Sequence, residues 1–431
     1  MRLLIIGAGP GGYETAVEAA KRGMEVTLIS EGPLGGTCLN EGCIPTKTMC
    51  HYAELIEQNI KAGMNCRPSV VTMVEHRQAV MEQLRRGVEM MLKGVQVVQG
   101  RAQFKDAKTV VCNSQEFTAD KIIVATGSVS ASLPIPGAEN CITSKEILEL
   151  RKVPASLCVI GGGVIGLEFA SIFRSFGSEV TVLEYCPNIL PRFDVDLAKR
   201  LKQSLSKRGI NIEVQAQVTR IDGNTVTYLK KDKEFTVQAD KILMAVGRRP
   251  NVEGLNLEAA GIEYTRKGIT VNDRFETSVP GIYAVGDVIG GIMLAHAATY
   301  QGLHALNCIC GQTDSIRFDL IPAAVFTMPE VATIGLTEEQ CKEQHLEVRC
   351  LKSFYRANGK AVSMDETDGY CKIIAGQDGT ILGAHLMGAH ASDLIHEIAV
   401  IINVGGTLEK MQSVIHAHPT LSEIVQSTLH N

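Results

Sequence analysis

Short apolar runs alternate with helical patterns along the first part of the chain. Residues 2–6 are mostly apolar, helical periodicity runs from Tyr13 to Lys21, and residues 25–29 form a second apolar run. Buried strands that alternate with helices are typical of a parallel sheet covered by helices. The pattern therefore predicts a βαβ unit at the start of the chain.

The same unit occurs again 154 positions further along. Both copies place glycines with the spacing GxGxxG between the first strand and the helix, at Gly7, Gly9 and Gly12 and then at Gly161, Gly163 and Gly166. Glycines at this spacing permit a tight turn and let the N–H groups of the helix N-terminus approach a pyrophosphate. Two such units in register predict two dinucleotide sites.

The two copies differ where the second strand ends. Glu184 ends that strand in the second copy, where a carboxylate accepts from the ribose of NAD and repels the additional phosphate of NADP. Arg192 follows eight residues later, either as a phosphate partner or as a solvated or ion-paired residue. In the first copy Ser30 stands at the strand end, and we predict that the next residue, Glu31, meets the ribose.

Two cysteines lie in the segment GGTCLNEGCIPTK, residues 35–47. A helix is predicted from about Ile44 to Ala62. On an ideal helix, Cys38 and Cys43 would be about 7.5 Å apart along the axis, which exceeds the ~7 Å limit for the Cα atoms of a disulfide. If the pair closes, Cys38 must therefore lie in a loop or a distorted first turn. Two unrelated core cysteines are the alternative, and a zinc site would need two further ligands that the neighbourhood lacks.

A long amphipathic helix is predicted from Met73 to Lys93. Its apolar residues share one stripe that we interpret as facing the core: Val74, Met81, Leu84, Val88 and Met91. Further strands are predicted to end at Ala125-Thr126-Gly127 and before Gly247. Asp287 follows another strand, where it either caps a helix starting near Met293 or binds a ribose or ribityl hydroxyl.

The last 120 residues have a different pattern, with four apolar strands and interspersed helices and no glycine fingerprint. This order indicates an α+β domain. The motif HAHPTLSE, residues 416–423, places Pro419 where it could open a helix. His418 and Glu423 would then form a histidine–carboxylate base, with a helix-capping surface histidine as the alternative.

Composition narrows the class of protein. The net charge of −5 over 431 residues, without a Lys/Arg run, argues against a nucleic-acid partner. No apolar run approaches the roughly 20 residues of a membrane-spanning helix, and the opening MRLLIIG is too short for a signal peptide. Thirteen cysteines, scattered singly in a long chain, are typical of reduced thiols and indicate the cytoplasm.

Taken together, the motifs resemble the pyridine nucleotide–disulfide oxidoreductase family. The resemblance covers nearly the whole chain, in the order GAGPGG, GGTCLNEGCIPTK, ATGS, GGGVIGLE, AVGRRPN, GIYAVGDV, MLAHAA and HAHPTLSE. It implies an α/β fold with two Rossmann-like dinucleotide-binding domains, for FAD and NAD, and a C-terminal α+β dimerisation domain. We place the FAD-binding domain at residues 1–148, the NAD-binding domain at 149–276, a central FAD-binding part at 277–312 and the dimerisation domain at 313–431.

The resemblance also implies roles for individual residues. Cys38 would face His418 of a second chain in a homodimer with shared active sites, Cys43 would face the flavin, and Glu423 would orient the histidine. Lys47 would lie near the flavin ring and pair with Glu168. Other cofactor-binding positions are expected at Gly36, Thr37, Ala102, Ala125, Thr126, Gly127, Gly247, Asp287, Met293, Leu294, Ala295 and His296.

The implied activity is a flavin-dependent reoxidation of dihydrolipoyl groups by NAD⁺. The groups would be carried by proteins of 2-oxoacid dehydrogenase or glycine-cleavage complexes. A glutathione reductase-like enzyme is the first alternative, although such an enzyme would want basic residues where Glu184 stands. A non-catalytic flavoprotein component of a multienzyme complex is the second. No metal site and no membrane partner are expected.

Overall fold

The computed structural model describes residues 1–64 and 69–430. The first region contains β1 (Arg2–Ile6), α1 (Pro10–Lys21), β2 (Glu25–Ser30), α2 (Gly36–Glu41), α3 (Cys43–Lys61), α4 (Val70–Met91), β3 (Gln96–Gln99), β4 (Gln103–Phe104), β5 (Thr109–Cys112), β6 (Gln115–Thr118), β7 (Lys121–Val124) and β8 (Ser128–Ser130).

The middle region contains β9 (Ser156–Ile160), α5 (Val164–Phe176), β10 (Glu179–Glu184), α6 (Val195–Lys207), β11 (Ile210–Val214), β12 (Gln217–Asp222), β13 (Thr225–Lys230), β14 (Lys233–Gln238), β15 (Lys241–Met244), β16 (Arg248–Pro250), β17 (Tyr264–Thr265) and β18 (Gly268–Ile269). The last region contains β19 (Ile282–Ala284), α7 (Ala295–Ile309), β20 (Ala323–Val325), β21 (Val331–Gly335), α8 (Glu338–Glu343), β22 (Val348–Phe354), α9 (Gly359–Ser363), β23 (Tyr370–Gly376), β24 (Ile381–Met387), α10 (Ala391–Asn403), α11 (Leu408–Gln412) and α12 (Glu423–Leu429).

Two parallel sheets carry the repeated units. The first has the strand order β19-β7-β1-β2-β3, and its edge strand β19 comes from far along the chain. The second has the order β11-β10-β9-β15 and is formed by residues 156–244 alone. The inner strands are almost fully buried because helices pack on one face of each sheet and short antiparallel strands on the other, β4 and β5 in the first unit and β12 and β13 in the second.

The C-terminal region forms an antiparallel sheet with the order β20-β21-β24-β23-β22. Helices α10 and α12 pack on it, and α10 buries Ile395, Ile398 and Ile402. The fold class predicted from the sequence, α/β with two Rossmann-like units and an α+β C-terminal domain, is confirmed. Among the helices of residues 1–64 and 69–430, none has the length and apolar character needed to cross a membrane.

Helix α7 crosses helix α1 in unusually close contact. A Cβ atom on Gly302 would lie 2.0 Å from the Thr15 hydroxyl, and one on Gly11 would lie 3.0 Å from the carbonyl of Ala298. Neither helix has room for a larger residue at these positions. The crossing therefore fixes α7 against the first βαβ unit.

The apolar stripe predicted for α4 is only partly buried. Val88 is 5% exposed, but Leu84 is 40% and Met91 is 50% exposed, so their assignment to the core was wrong for this chain. The helix packs mainly against α3 and α2, and this narrow contact covers fewer residues than a full core-facing stripe. Its buried residues are Met73, Arg77 and Val88.

Candidate active site

The first glycine turn is closed by backbone contacts. Gly7 has φ +108°, and a Cβ atom there would lie 2.2 Å from the carbonyl oxygen of Ala125, at the end of β7. A Cβ atom on Gly12 would lie 1.8 Å from the carbonyl oxygen of Gly7. Both positions thus exclude any side chain because the protein's own backbone fills the space.

Gly9 differs from its neighbours in the same turn. A Cβ atom on Gly9 would meet nothing within 4 Å, and the N-terminus of α1 has no side-chain cap. Gly36 packs against this turn, since its Cβ atom would lie 2.6 Å from the Cα atom of Gly9. Gly127 has φ +71° and also faces open space. The resulting cradle of N–H groups, free of side chains, fits the pyrophosphate of FAD.

A polar cluster lies beside this cradle. Strands β8 and β16 pair, which brings Arg248 to Ser128; the guanidinium Nε donates to the Ser128 hydroxyl at 2.7 Å and Nη2 donates to its carbonyl oxygen at 2.7 Å. The same hydroxyl donates to the carboxylate of Asp287. Burial lowers the pKa of Arg248, although Asp287 opposes that change. Ser128 and Arg248 were missed in the sequence because only the adjoining glycines stand out there.

Asp287 does not cap a helix. Helix α7 begins at Ala295, two residues later than predicted, and the residue before it, Leu294, makes no capping contact with its side chain. The Asp287 carboxylate is instead held by Ser128 at the edge of the first sheet. The structure thus excludes the helix-capping role that was considered for Asp287.

The other expected FAD positions come from several elements of the first and last regions. Ser30 is buried and its hydroxyl donates to the Gly32 carbonyl at 2.8 Å, whereas Glu31 is exposed directly after β2. The remaining positions lie in α2 (Thr37), between β3 and β4 (Ala102), after β7 (Ala125 and Thr126), and at the start of α7 (Met293, Leu294, Ala295 and His296). The His296 Nε2 atom lies 2.8 Å from the Pro322 carbonyl oxygen.

The two cysteines of the segment 35–47 lie on two different helices. Cys38 lies in α2 and Cys43 is the first residue of α3. The helical conformation is interrupted between them at Gly42, with φ −140° and ψ −108°. The sequence predicted one helix preceded by a loop, so the short helix α2 was not foreseen. The break removes the constraint of a single helix axis, which would have kept the two thiols too far apart.

The thiols of Cys38 and Cys43 influence each other. A hydrogen bond from Cys38 lowers the pKa of Cys43 to about 7, against the effect of burial and with help from the Lys47 cation. The same hydrogen bond raises the pKa of Cys38. Cys43 also stands at the N-terminus of α3, where the helix dipole favours an anion. Cys43 is therefore the thiolate of the reduced pair.

Lys47 lies one helical turn after Cys43. Its Nζ atom is 2.8 Å and 2.9 Å from the two carboxylate oxygens of the buried Glu168, on α5 of the second unit. Burial lowers the pKa of Lys47, but the effect of Glu168 in the opposite direction is larger. The pKa is therefore raised and the lysine stays charged. The Phe326 N–H donates to Glu168 at 3.0 Å and the Phe326 ring lies 4.3 Å from Nζ. Three regions of the chain thus meet at this ion pair.

The second glycine turn repeats the geometry of the first. Gly161 has φ +112°, with its Cβ position 2.3 Å from the carbonyl oxygen of Ala245, and Gly166 would meet the carbonyl oxygen of Gly161 at 2.0 Å. Gly163 and Gly247 again face open space. This cradle fits the pyrophosphate of NAD by the same argument.

Glu184 lies buried at the end of β10, as predicted. Its carboxylate accepts from the N–H groups of Gly162 and, at 2.7 Å, Cys186. Each carboxylate oxygen has a second lone pair, which remains available to a ribose hydroxyl. The backbone contacts thus fix the carboxylate in one orientation for such a hydroxyl.

His418 and Glu423 form the predicted pair. The His418 Nδ1 atom lies 2.8 Å from Glu423, whose other oxygen accepts from the Thr420 N–H at 2.8 Å. The hydrogen bond with His418 lowers the pKa of Glu423. Pro419 does not open a helix, because this turn precedes α12, which starts only at Glu423. His416 makes a second such pair, with Glu397 at 2.7 Å, that was not predicted.

The pair is separate from the thiols of its own chain. The His418 side chain is 77% exposed, and within the described ranges no hydrogen bond joins it to Cys38 or Cys43. Ile415, three residues earlier, is 94% exposed. The structure therefore brings Cys38, Cys43, Lys47 and Glu168 together, and leaves His418 exposed, with the partly buried Glu423 beside it.

The chain belongs to the pyridine nucleotide-disulphide oxidoreductase family. Residues 1–302 match the family itself and residues 321–429 match its dimerisation domain. The match confirms the predicted family and the class of enzyme, an oxidoreductase with FAD and NAD as cofactors, and it supports a homodimer.

Individual relatives are also similar over nearly their whole length. A dihydrolipoyl dehydrogenase of Geobacillus stearothermophilus is 41% identical over 98% of this chain and 94% of its own. One from Bacillus subtilis is 38% identical over 100% of this chain and 98% of its own. Among solved structures, the HOCl-induced flavoprotein disulfide reductase RclA from Escherichia coli is 30% identical, with a TM-score of 0.90 over 100% of this chain and 99% of that one. LpdA from Mycobacterium tuberculosis is 29% identical, with a TM-score of 0.91 over 100% and 99% of the two chains.

Proposed function

We propose that this protein oxidises dihydrolipoyl groups with NAD⁺, through the Cys38–Cys43 pair and a bound FAD. The observation that carries the proposal is the arrangement of the two thiols, with Cys43 at a helix N-terminus one turn from the Lys47 cation. Relatives named dihydrolipoyl dehydrogenase support the choice of substrate.

In the proposed thiol exchange, two electrons pass from the substrate dithiol to the Cys38–Cys43 disulfide. His418, oriented by Glu423, takes a proton from one substrate thiol, and the thiolate attacks Cys38 in the closed disulfide. Cys43 leaves as a thiolate. The second substrate thiol then attacks the substrate sulfur of the mixed disulfide and its proton passes to the leaving Cys38 sulfur. A cyclic disulfide and the Cys38 thiol result, while His418 keeps the first proton. Only thiolates attack well, which is why a base is needed. FAD, when bound, supplies the two-electron chemistry that links the thiol pair to NAD⁺.

The proposed active site is shared between two chains. His418 of one chain would serve Cys38 of the other, because its side chain is exposed on its own chain. The exposed Ile415 and Val404 lie on the same domain and would be covered in a dimer. We keep the division into residues 1–148, 149–276, 277–312 and 313–431 for the FAD, NAD, central and dimerisation parts.

The proposed cofactor contacts follow the two cradles. FAD would be held by Gly7, Gly9, Gly12, Glu31, Gly36, Thr37, Lys47, Ala102, Ala125, Thr126, Gly127, Asp287, Met293, Leu294, Ala295 and His296. NAD would be held by Gly161, Gly163, Gly166, Glu168, Glu184 and Gly247. Lys47 would place a positive charge near the flavin ring, with Glu168 as its counter-ion.

The proposed partners are lipoyl-carrying proteins of 2-oxoacid dehydrogenase or glycine-cleavage complexes. The cytoplasm is the proposed location, supported by the free cysteines among the described residues and by bacterial relatives. Neither a nucleic acid nor a membrane is part of the proposal.

One assay tests the substrate. NAD⁺ reduction by dihydrolipoamide is measured beside the reduction of glutathione disulfide by NADPH. We expect the first reaction and not the second. Cys43→Ser should abolish the first reaction while the absorption spectrum shows that FAD stays bound. Turnover at the wild-type rate in that variant would contradict the proposed thiol relay.

A second assay tests the base. His418→Gln should slow the thiol half-reaction by about 10²–10⁴-fold, the usual contribution of a general base. His416→Gln is the matched control, since it removes a neighbouring histidine–glutamate pair outside the proposed site. Mixed dimers of Cys43→Ser and His418→Gln chains should regain activity, because one of their two shared sites is intact. Failure of such dimers to regain activity would place both residues in one chain.

A further inference from the structure

A second cluster of reactive side chains lies at the far end of α7. His304 and Cys308 are four residues apart on this helix, and the Cys308 Sγ atom lies 3.6 Å from the His304 Nε2 atom. Cys308 is partly exposed. It follows Ala295, the first residue of α7, by 13 positions, which is about 20 Å along the helix axis. The cluster is thus remote from the redox cysteines' cofactor cradle.

Asp314 completes the arrangement from the loop that follows α7. Its carboxylate oxygens lie 3.0 Å and 2.9 Å from the His304 Nδ1 atom. Because an ionised carboxylate only accepts hydrogen bonds, Nδ1 must carry the proton of a neutral imidazole. The lone pair of the ring is then on Nε2, which faces the Cys308 sulfur. This is the geometry in which a histidine can take the proton of a nucleophile.

The orientation of the His304 ring is fixed by its carboxylate partner and by two aromatic side chains. Asn307 donates to Asp314 at 2.7 Å and the Ile316 N–H donates to it at 3.1 Å, so the carboxylate is fixed. The imidazole ring makes edge-on contacts with Phe275 and Phe318, with ring centres 5.7 Å and 5.5 Å away. A histidine that merely fills a helix surface would not need both a hydrogen-bonded carboxylate and two aromatic neighbours.

A cation stands on another side of the sulfur. Arg274 donates to the Cys308 carbonyl oxygen at 3.3 Å, and a hydrogen bond with the Cys308 side chain raises the pKa of Arg274. A guanidinium beside a thiol stabilises its anion. In residues 1–64 and 69–430, no three His, Cys, Asp or Glu side chains are placed to hold a metal ion. The arrangement is therefore suited to proton transfer and not to metal binding.

We propose that Cys308 is a second nucleophilic thiol of this protein, activated by His304 and Asp314, and that it exchanges with low-molecular-weight disulfides. The Cys308 proton passes to the His304 Nε2 atom, and the thiolate attacks one sulfur of R–S–S–R. A Cys308–S–S–R bond forms, the original S–S bond breaks, and the leaving RS⁻ takes the proton from His304. The products are the modified cysteine and one RSH.

Cys310 provides an internal comparison. It lies two residues further on, is also partly exposed, and has an arginine nearby, with Arg22 Nη1 at 3.9 Å from its sulfur. It contacts no histidine in the described part of the chain. A difference in reactivity between Cys308 and Cys310 therefore measures what His304 contributes.

The test uses the holoenzyme with the Cys38–Cys43 disulfide closed and glutathione disulfide as the probe. The rate of modification at each cysteine is followed by peptide mass spectrometry. We expect Cys308 to react at least tenfold faster than Cys310 and Cys350. Equal rates at these three cysteines would overturn the proposal.

Two variants test the roles of His304 and Asp314. His304→Gln and the nearly isosteric Asp314→Asn should each slow Cys308 at least tenfold and leave Cys310 unchanged. An unchanged rate at Cys308 in both variants would refute the activation. Cys308→Ser should keep full NAD⁺-linked turnover, which separates this proposal from the redox function.

Discussion

The two dinucleotide units have nearly the same backbone and different surroundings. Gly7 and Gly161 have φ values of +108° and +112°, and Gly12 and Gly166 would place a Cβ atom 1.8 Å and 2.0 Å from a carbonyl oxygen. These constraints come from the turn itself, so they are the same in both copies.

One position shared by the units has diverged completely. Glu14 and Glu168 occupy the same place in the repeat, 154 residues apart. Glu14 is partly exposed and accepts from the Tyr13 hydroxyl at 3.0 Å, whereas Glu168 is 4% exposed and binds Lys47. A position that the turn does not constrain is thus free to be recruited by a neighbouring site.

The largest predicted effect tests the shared turn. Gly12→Ala and Gly166→Ala should each cost about 3 kcal/mol, because a backbone carbonyl occupies the space of the new methyl group. Thermal unfolding measures the loss. Gly9→Ala and Gly163→Ala are the controls, since nothing of the protein lies within 4 Å of their Cβ positions. These two should fold normally and weaken FAD and NAD binding, respectively. A control variant that unfolds as readily as Gly12→Ala would contradict this division.

The diverged position should respond differently in the two units. Glu168→Gln removes the counter-ion of a largely buried lysine and should destabilise the protein by about 2 kcal/mol, less than a fully buried pair because Lys47 is partly exposed. Glu14→Gln should stay within about 0.5 kcal/mol of wild type, as surface changes usually do. Chemical denaturation of the holoprotein measures both. Equal effects would show that the ion pair adds nothing to stability.

Substitutions of the acids at the two strand ends, Glu184 and Glu31, should affect the binding of different cofactors. Glu184→Gln should raise the KM for NAD⁺ about tenfold, since one backbone N–H would face an amide N–H₂ and a ribose partner is weakened. Glu31→Gln should leave this KM unchanged and lower the affinity for FAD instead. Steady-state kinetics and flavin titration distinguish the two results. A change in the KM for NAD⁺ in the Glu31 variant would undermine the assignment of the two sites.

The smallest predicted effect concerns the Cys38–Cys43 pair, which has no counterpart in the second unit. The pKa of Cys43 is lowered to about 7, so its thiolate, and its reaction with iodoacetamide in reduced protein, should appear as pH rises through 7 and be lost below it. Any stability from this lowered pKa is likewise present at high pH and lost as pH falls through 7. Lys47→Met should move the midpoint up by about one unit. Cys38→Ala should move it further, because it removes the hydrogen bond from Cys38, which is the larger cause. A pH midpoint of Cys43 reactivity that stays the same in both variants would contradict the roles given to Lys47 and Cys38.

The sequence predicted those features that local rules determine. The two βαβ units follow from glycine spacing and apolar runs. The family resemblance added the roles of distant residues, such as His418, that no spacing rule connects to Cys38.

The features that were missed depend on contacts between distant segments. The hydrogen bonds of Arg248 to Ser128 require the pairing of β8 with β16, and the burial of Arg77 depends on which face of α4 its neighbours cover. Helix α2 is flanked by Gly35 and Gly42, and the segment was therefore predicted to be a loop. Leu84 and Met91 were assigned to the core by periodicity alone, and periodicity cannot show how much of a helix is covered.

The position of β19 bears on how the chain folds as it is synthesised. The sheet of the second unit uses residues 156–244 only, whereas the first sheet is complete only after its edge strand at Ile282–Ala284 has been synthesised. Domains generally fold from the N-terminus during translation, but here the second unit can close before the first. We therefore expect a nascent chain that ends near residue 250 to protect the second unit from protease while the edge of β7 stays open.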